Sequence, residues 1–114
     1  MEEKSNLPFC PVGYALKIFG GKWKLNIVWK LSREENLRYS ELRRRVSGIT
    51  NMMLSQCLRE LQEAKIINRV QYLEMPPRVE YSLTDEGKAL LPILMAMGVW
   101  GTRHMQAHIL DCNI

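Results

Sequence analysis

Cysteine is scarce in this chain: three residues in 114, at positions 10, 57 and 112, an odd number without paired spacing. That excludes the disulfide scaffold on which small secreted domains rely. Long apolar runs are missing too. The longest, ALLPILMAMGVWG, falls short of the roughly 20 residues that span a bilayer, and proline and glycine interrupt it. The first nine residues, MEEKSNLPF, have neither the basic start nor the apolar stretch of a secretory leader, so no membrane partner and a cytoplasmic location are expected. No nucleophile stands paired with a base, no glycine loop is shaped to cradle phosphate, and no carboxylate pair is set for acid–base work. The chain therefore does not read as an enzyme. His104, His108 and Cys112 in HMQAHILDC would share one helical stripe, and imidazole with thiolate suits zinc or copper. Three ligands near a fraying terminus make a weak site, so neither a metal nor a cofactor is expected.

What is present is enough apolar material for one core, 46% of the residues, in a length typical of one domain. The net charge of +4 is unevenly spread. From Lys17 to Arg78 there are thirteen basic residues against six acids, whereas the two flanks hold three basic residues and six acids. A basic centre between slightly acidic ends attracts nucleic acid or acidic surfaces.

Hydrophobic spacing supplies the elements. Residues 11–19 form a first helix, with Pro11 at the favoured first position and Gly20-Gly21 as its stop. In KWKLNIVWKL, Trp23, Ile27 and Leu31 recur at spacing four with Val28 alongside, and the lysines stand off that stripe. LRYSELRRRVS gives a third helix, with Ser40 as its N-cap and Leu42 and Val46 inward. In SGIT, Gly48 suits a left-handed helix end, Ile49 folds back onto it, and Thr50 caps the next helix. That helix, NMMLSQCLRELQEAK, carries Leu54, Leu58 and Leu61 inward and Met52, Ser55, Gln56 and Arg59 outward. Two strand-like runs follow, IINRVQYLE and RVEYSL, with MPP between them as a stiff hairpin tip. Helix, turn, helix and hairpin is the order of a winged helix. Thr84 caps one long final helix, which Pro92 is expected to kink. The fold class is α+β, mainly α: a single winged helix-turn-helix domain over 1–114. It comprises an N-terminal arm (1–9), the helix-turn-helix (39–65), a two-stranded wing (66–83) and a C-terminal dimerisation helix (84–110).

With these residues in place the chain resembles the HxlR-type (MarR-like) family of bacterial winged-helix transcription regulators, from Cys10 to about Gly101. The resemblance rests on CPV at 10–12, GGKWKL at 20–25, YSELRRRV at 39–46, LRELQ at 58–62 and MPPRVEYSLTDEGKAL at 75–90. It implies a homodimer on a roughly palindromic operator, often responsive to an oxidant, an electrophile or another small molecule. Cys57 departs from the family pattern, in which a polar residue is usual at that place.

The chemistry of each side chain then suggests its part at double-stranded DNA. Asn51, Met52, Ser55, Gln56 and Arg59 lie where a recognition helix meets base edges in the major groove. Lys22, Arg38, Arg43 and Arg44 suit phosphates, as does Arg78 at the wing tip, while Arg45 either joins them or faces solvent. The material for a dimer interface is Phe9, Val12, Tyr14 and Phe19 in the first helix and Leu94, Met97, Val99 and Trp100 in the last. Cys10, just before Pro11, sits at a helix start where free N–H groups favour nucleophilic sulfur. Oxidation or electrophile modification there could tilt the DNA-reading halves, and the resemblance points the same way. Two alternatives stay open: a regulator answering to a non-covalent small ligand, and a winged-helix module that binds protein rather than DNA.

Overall fold

The computed structural model describes residues 10–112, with side chains described as far as His108. The chain runs α1 (Pro11–Phe19), α2 (Lys24–Arg33), β1 (Leu37–Arg38), α3 (Tyr39–Arg45), α4 (Asn51–Glu63), β2 (Ile67–Tyr72), β3 (Arg78–Leu83), α5 (Asp85–Lys88) and α6 (Leu91–Cys112). The core lies where α2, α3 and α4 meet the sheet. Ile27 and Val28 of α2, Leu42 of α3, and Leu54 and Leu61 of α4 are completely buried there. The spacing-four stripes predict these contacts, because residues four apart share a helix face.

The sheet has three strands in the order β1-β3-β2, all antiparallel. The β2–β3 register runs from Ile67↔Leu83 to Tyr72↔Arg78 and leaves MPP in the tip. Tyr81 and Leu83 alternate into the core as the two-residue period requires. β1 is absent from the sequence reading. Its two residues, Leu37↔Tyr81 and Arg38↔Glu80, are strand only because β3 supplies the partner. The two-stranded wing is thus the outer part of a three-stranded sheet.

Three expectations need correction. Ser40 lies inside α3, which begins at Tyr39, and the helix start is closed instead by Glu41, whose Oε1 accepts the Arg38 N–H at 2.8 Å. A carboxylate in the first turn meets both the free N–H groups and the positive end of the helix dipole. The single final helix over 84–110 is in fact two. Thr84 caps α5 as expected, its Oγ1 accepting the Gly87 N–H at 3.0 Å. That helix stops at Lys88, and α6 begins at Leu91. Pro92 has no N–H for the Lys88 carbonyl, so the break falls just ahead of it and places proline in a first turn, where that N–H has no role. Gly87 makes the approach of α5 to the sheet possible: a Cβ there would collide with the Ile66 carbonyl oxygen. Lastly, Lys24 does not stand in solvent. Its Nζ pairs with Glu60 Oε1 at 2.7 Å and donates to the Ile18 carbonyl at 3.2 Å, with the side chain only 14% exposed.

Candidate nucleic-acid interface

The turn between α3 and α4 is built as its residues require. Gly48 has φ of +87°, Ile49 is buried, and Thr50 Oγ1 accepts the Met53 N–H at 3.1 Å. This fixes the rotation of α4: Leu54, Cys57, Leu58 and Leu61 face the core, while Asn51, Met52, Ser55, Gln56 and Arg59 face solvent. Met52 is 77% exposed, an apolar side chain left uncovered among the described residues.

The outward polar residues are differently held. Tyr39 Oη lies 3.1 Å from Asn51 Oδ1, 3.0 Å from the Asn51 carbonyl and 3.2 Å from Ser55 Oγ, so α3 is pinned to the start of α4. Gln56 Nε2 donates to Glu60 Oε2 at 3.1 Å, and the other oxygen of that carboxylate takes the Lys24 bridge. The Lys24 hydrogen bond first, and the Gln56 bond second, hold the Glu60 carboxyl below the usual glutamate range. Arg59 makes no hydrogen bond or ion pair among the described residues, and its guanidinium is exposed.

Arg43 and Arg44 are exposed on α3 and line a groove of about 700 Å³ together with Thr50 and Asn51, at the N-terminus of the thirteen-residue α4. Two guanidinium groups beside free helix N–H groups form an environment suited to a phosphate. Lys22 is exposed, its Nζ 4.7 Å from the Trp23 ring centre, and Arg38 is exposed between β1 and α3. Arg45 is placed otherwise: its Nη2 meets both oxygens of Glu34, at 2.9 and 3.1 Å.

Arg78 also departs from expectation. It is the first residue of β3 rather than the tip, and its guanidinium is engaged by Glu74 and Glu80, each at 2.6 Å, while it lies 4.0 Å from the centre of the Tyr72 ring. Glu74 first and Glu80 next raise its pKa further above its ordinary value. A cation bonded to two carboxylates and stacked on a ring is a brace within the wing. Arg69 on β2 is the exposed wing cation instead, lining a groove with Ser55 and Arg59. Sequence reasoning passed over it, because only the register Arg69↔Tyr81 brings β2 beside α4.

Of the residues assigned to an interface between copies, Val12, Tyr14, Met97, Val99 and Trp100 are at least half exposed. Leu94 is not: it is 8% exposed and belongs to the core of its own chain, and Phe19 is partly buried against that core. Leu94 turns inward because α6 meets α2 along that side. Phe9 lies outside the described residues. Cys10 is the N-cap of α1 and exposed, its backbone carbonyl accepting the Tyr14 N–H at 2.8 Å, while its side chain caps nothing. Cys57 is buried, and that burial pushes its thiol up. His104 stacks between Trp100 and His108, with ring centres 4.8 and 4.2 Å apart, and the Cys112 side chain is outside the described set. None of the described helices is long and apolar enough to cross a membrane.

Comparison with known proteins places this architecture. The model of HxlR-like helix-turn-helix proteins matches residues 18–109. MalR of Fusobacterium mortiferum, named as a regulatory protein, is 46% identical over 99 residues, covering 87% of this chain and 93% of its own. The redox regulator HypR in its oxidized form is 41% identical with a TM-score of 0.77, over 82% of this chain and 96% of that one. The reduced transcriptional regulator YodB of Bacillus subtilis is 30% identical with a TM-score of 0.72, over 81% of this chain and 90% of that one. This winged-helix chain belongs to the HxlR-like helix-turn-helix family, and it is a transcriptional regulator rather than an enzyme.

Proposed function

We propose that the protein acts inside the cell as a homodimer that binds a palindromic DNA operator and is switched by chemistry at Cys10. The observation that carries the DNA reading is the outward side of α4, largely polar and exposed, where Arg59 and the neighbouring Arg43 and Arg44 of α3 have no ion-pair partner among the described residues. Asn51, Met52, Ser55, Gln56 and Arg59 read base edges. Arg59 is the strongest reader, because guanidinium bonds guanine O6 and N7 together. Lys22, Arg38, Arg43 and Arg44 hold phosphates, which set affinity and register. Arg69 replaces Arg78 as the wing's contact. Two-fold symmetry sets the recognition helices about 34 Å apart, one turn of DNA. The exposed apolar faces of α1 and α6 support the homodimer.

Cys10 suits the switch, because its sulfur is exposed at the first turn of a helix whose apolar side chains are also exposed. Oxidation or alkylation there alters the seat of α1 and so the spacing of the two recognition helices. Electrophoretic mobility shift against the protein's own upstream region tests both parts. Arg59→Ala is expected to lose about tenfold in preference for the operator over scrambled duplex, while Arg43→Ala weakens binding to both alike. Diamide releases the operator from the wild type and leaves Cys10→Ser bound. A Cys10→Ser protein still released by diamide moves the switch to Cys57 or Cys112, and a wild type that diamide does not release leaves a non-covalent ligand. Failure to shift any duplex sinks the DNA reading in favour of a protein-binding module.

A further inference from the structure

Resting on the DNA reading above, we propose that Tyr39 is a positioning residue that sets the sequence specificity of α4 by fixing which hydrogen-bonding groups Asn51 and Ser55 turn outward. The argument is one of proton count. A phenol has one O–H to give and two lone pairs with which to accept. Tyr39 Oη lies within hydrogen-bond distance of three oxygens: the Asn51 carbonyl at 3.0 Å, Asn51 Oδ1 at 3.1 Å and Ser55 Oγ at 3.2 Å. The two oxygens of Asn51 can only accept, so the single phenolic proton lies between them and is shared in a bifurcated bond. Ser55 must then donate to Tyr39, because two lone pairs facing each other would repel.

Both neighbours are left with a defined polarity. With Oδ1 held by the phenol, the free end of the Asn51 amide is its NH2 group, a donor. With its proton committed to Oη, the Ser55 hydroxyl keeps only lone pairs to offer, an acceptor. Both side chains are exposed, one helical turn apart on the outward side of α4. In the major groove a donor meets guanine O6 and N7, adenine N7 or thymine O4, and an acceptor meets the amino group of cytosine or adenine. A serine hydroxyl otherwise serves either kind of base, and an asparagine amide can turn over. Tyr39 removes both freedoms. Its ring is partly buried against the core, which holds the hydroxyl in place.

Tyr39→Phe keeps that ring and deletes only the hydroxyl, and it changes no charge. Selection of bound sequences from a random double-stranded DNA pool, by wild type and variant at several salt concentrations, tests the inference. Base preference is expected to fall about five- to tenfold at the positions facing Asn51 and Ser55, with unchanged preference opposite Arg59. The salt slope and the affinity for unselected DNA stay as in the wild type. In an Asn51→Ala, Ser55→Ala background, Tyr39→Phe then changes nothing further. Equal stringency of wild type and Tyr39→Phe at every position overturns the inference while leaving the DNA reader intact. A uniform loss of affinity together with a lowered melting temperature also overturns it, since that is a packing role. A wild type that enriches no sequence overturns the sequence-reading function and the inference with it.

Discussion

In α2, α3, α4 and β3 most apolar side chains meet one another, whereas in α1 and α6 most of them meet solvent. Ile27, Val28, Leu42, Leu54 and Leu61 are completely buried, yet α1 buries none of its nine residues. Val12 and Leu16 are 66% and 64% exposed, and Val99 and Trp100 of α6 are 65% and 59% exposed. Apolar content does not explain the difference, since α1 and α6 are the more apolar helices and yet the less buried. Partnership does. The central helices close on each other and on β3, whereas in α6 it is the side bearing Leu91 and Leu94 that meets the rest of the described chain. Exposed apolar faces of this extent are what the proposed homodimer would cover, so in that proposal the centre reads DNA and the flanks assemble the two copies.

That contrast can be broken most forcefully at its centre. Leu61→Ala should destabilise the fold by about 2–5 kcal/mol, the range for emptying a fully buried leucine site; a urea or thermal melt shifted by much less would mean that the core does not hold the reading unit together. At the flank the expectation reverses. If α6 carries the proposed dimer, Trp100→Asp should change the stability of the single chain by no more than about 0.5 kcal/mol yet yield a monomer in light scattering against a dimeric wild type. Equal masses for both would leave α6 without an assembly role.

The smallest effect is expected at the joint between the regions, where Lys24 ties the last turn of α1 to Glu60 of α4. The Glu60 carboxyl titrates lower in the folded chain than in the unfolded one. Its contribution is therefore present above the ordinary glutamate range and lost as pH falls through and below it. Glu60→Gln should lower the melting temperature slightly at neutral pH, and the gap should close in acid. A gap that stays constant with pH would assign the loss to packing.

Local rules carried much of the fold. Gly48, Ile49 and Thr50 behave as their chemistry demands, because a left-handed turn, a hydrophobic fold-back and an N-cap all involve neighbours in sequence. The misses at Ser40 and at Pro92 are local, one residue or one turn out of place; the others depend on a distant partner. β1 needs β3, and Lys24 needs Glu60. At Arg78 the expected phosphate contact gives way to two carboxylates and a ring that the hairpin folds around it.

By itself the sequence determined the order of helices and hairpin, the two sides of α4, the turn that orients it and the basic character of the centre. Each follows from periodicity or from a side chain acting within a few residues of itself. Tertiary structure alone decided which cations remain unpaired, which apolar residues close the core and which await a partner, and which outward side chains are locked. Those outcomes are settled by distances between segments that only the packed chain brings together.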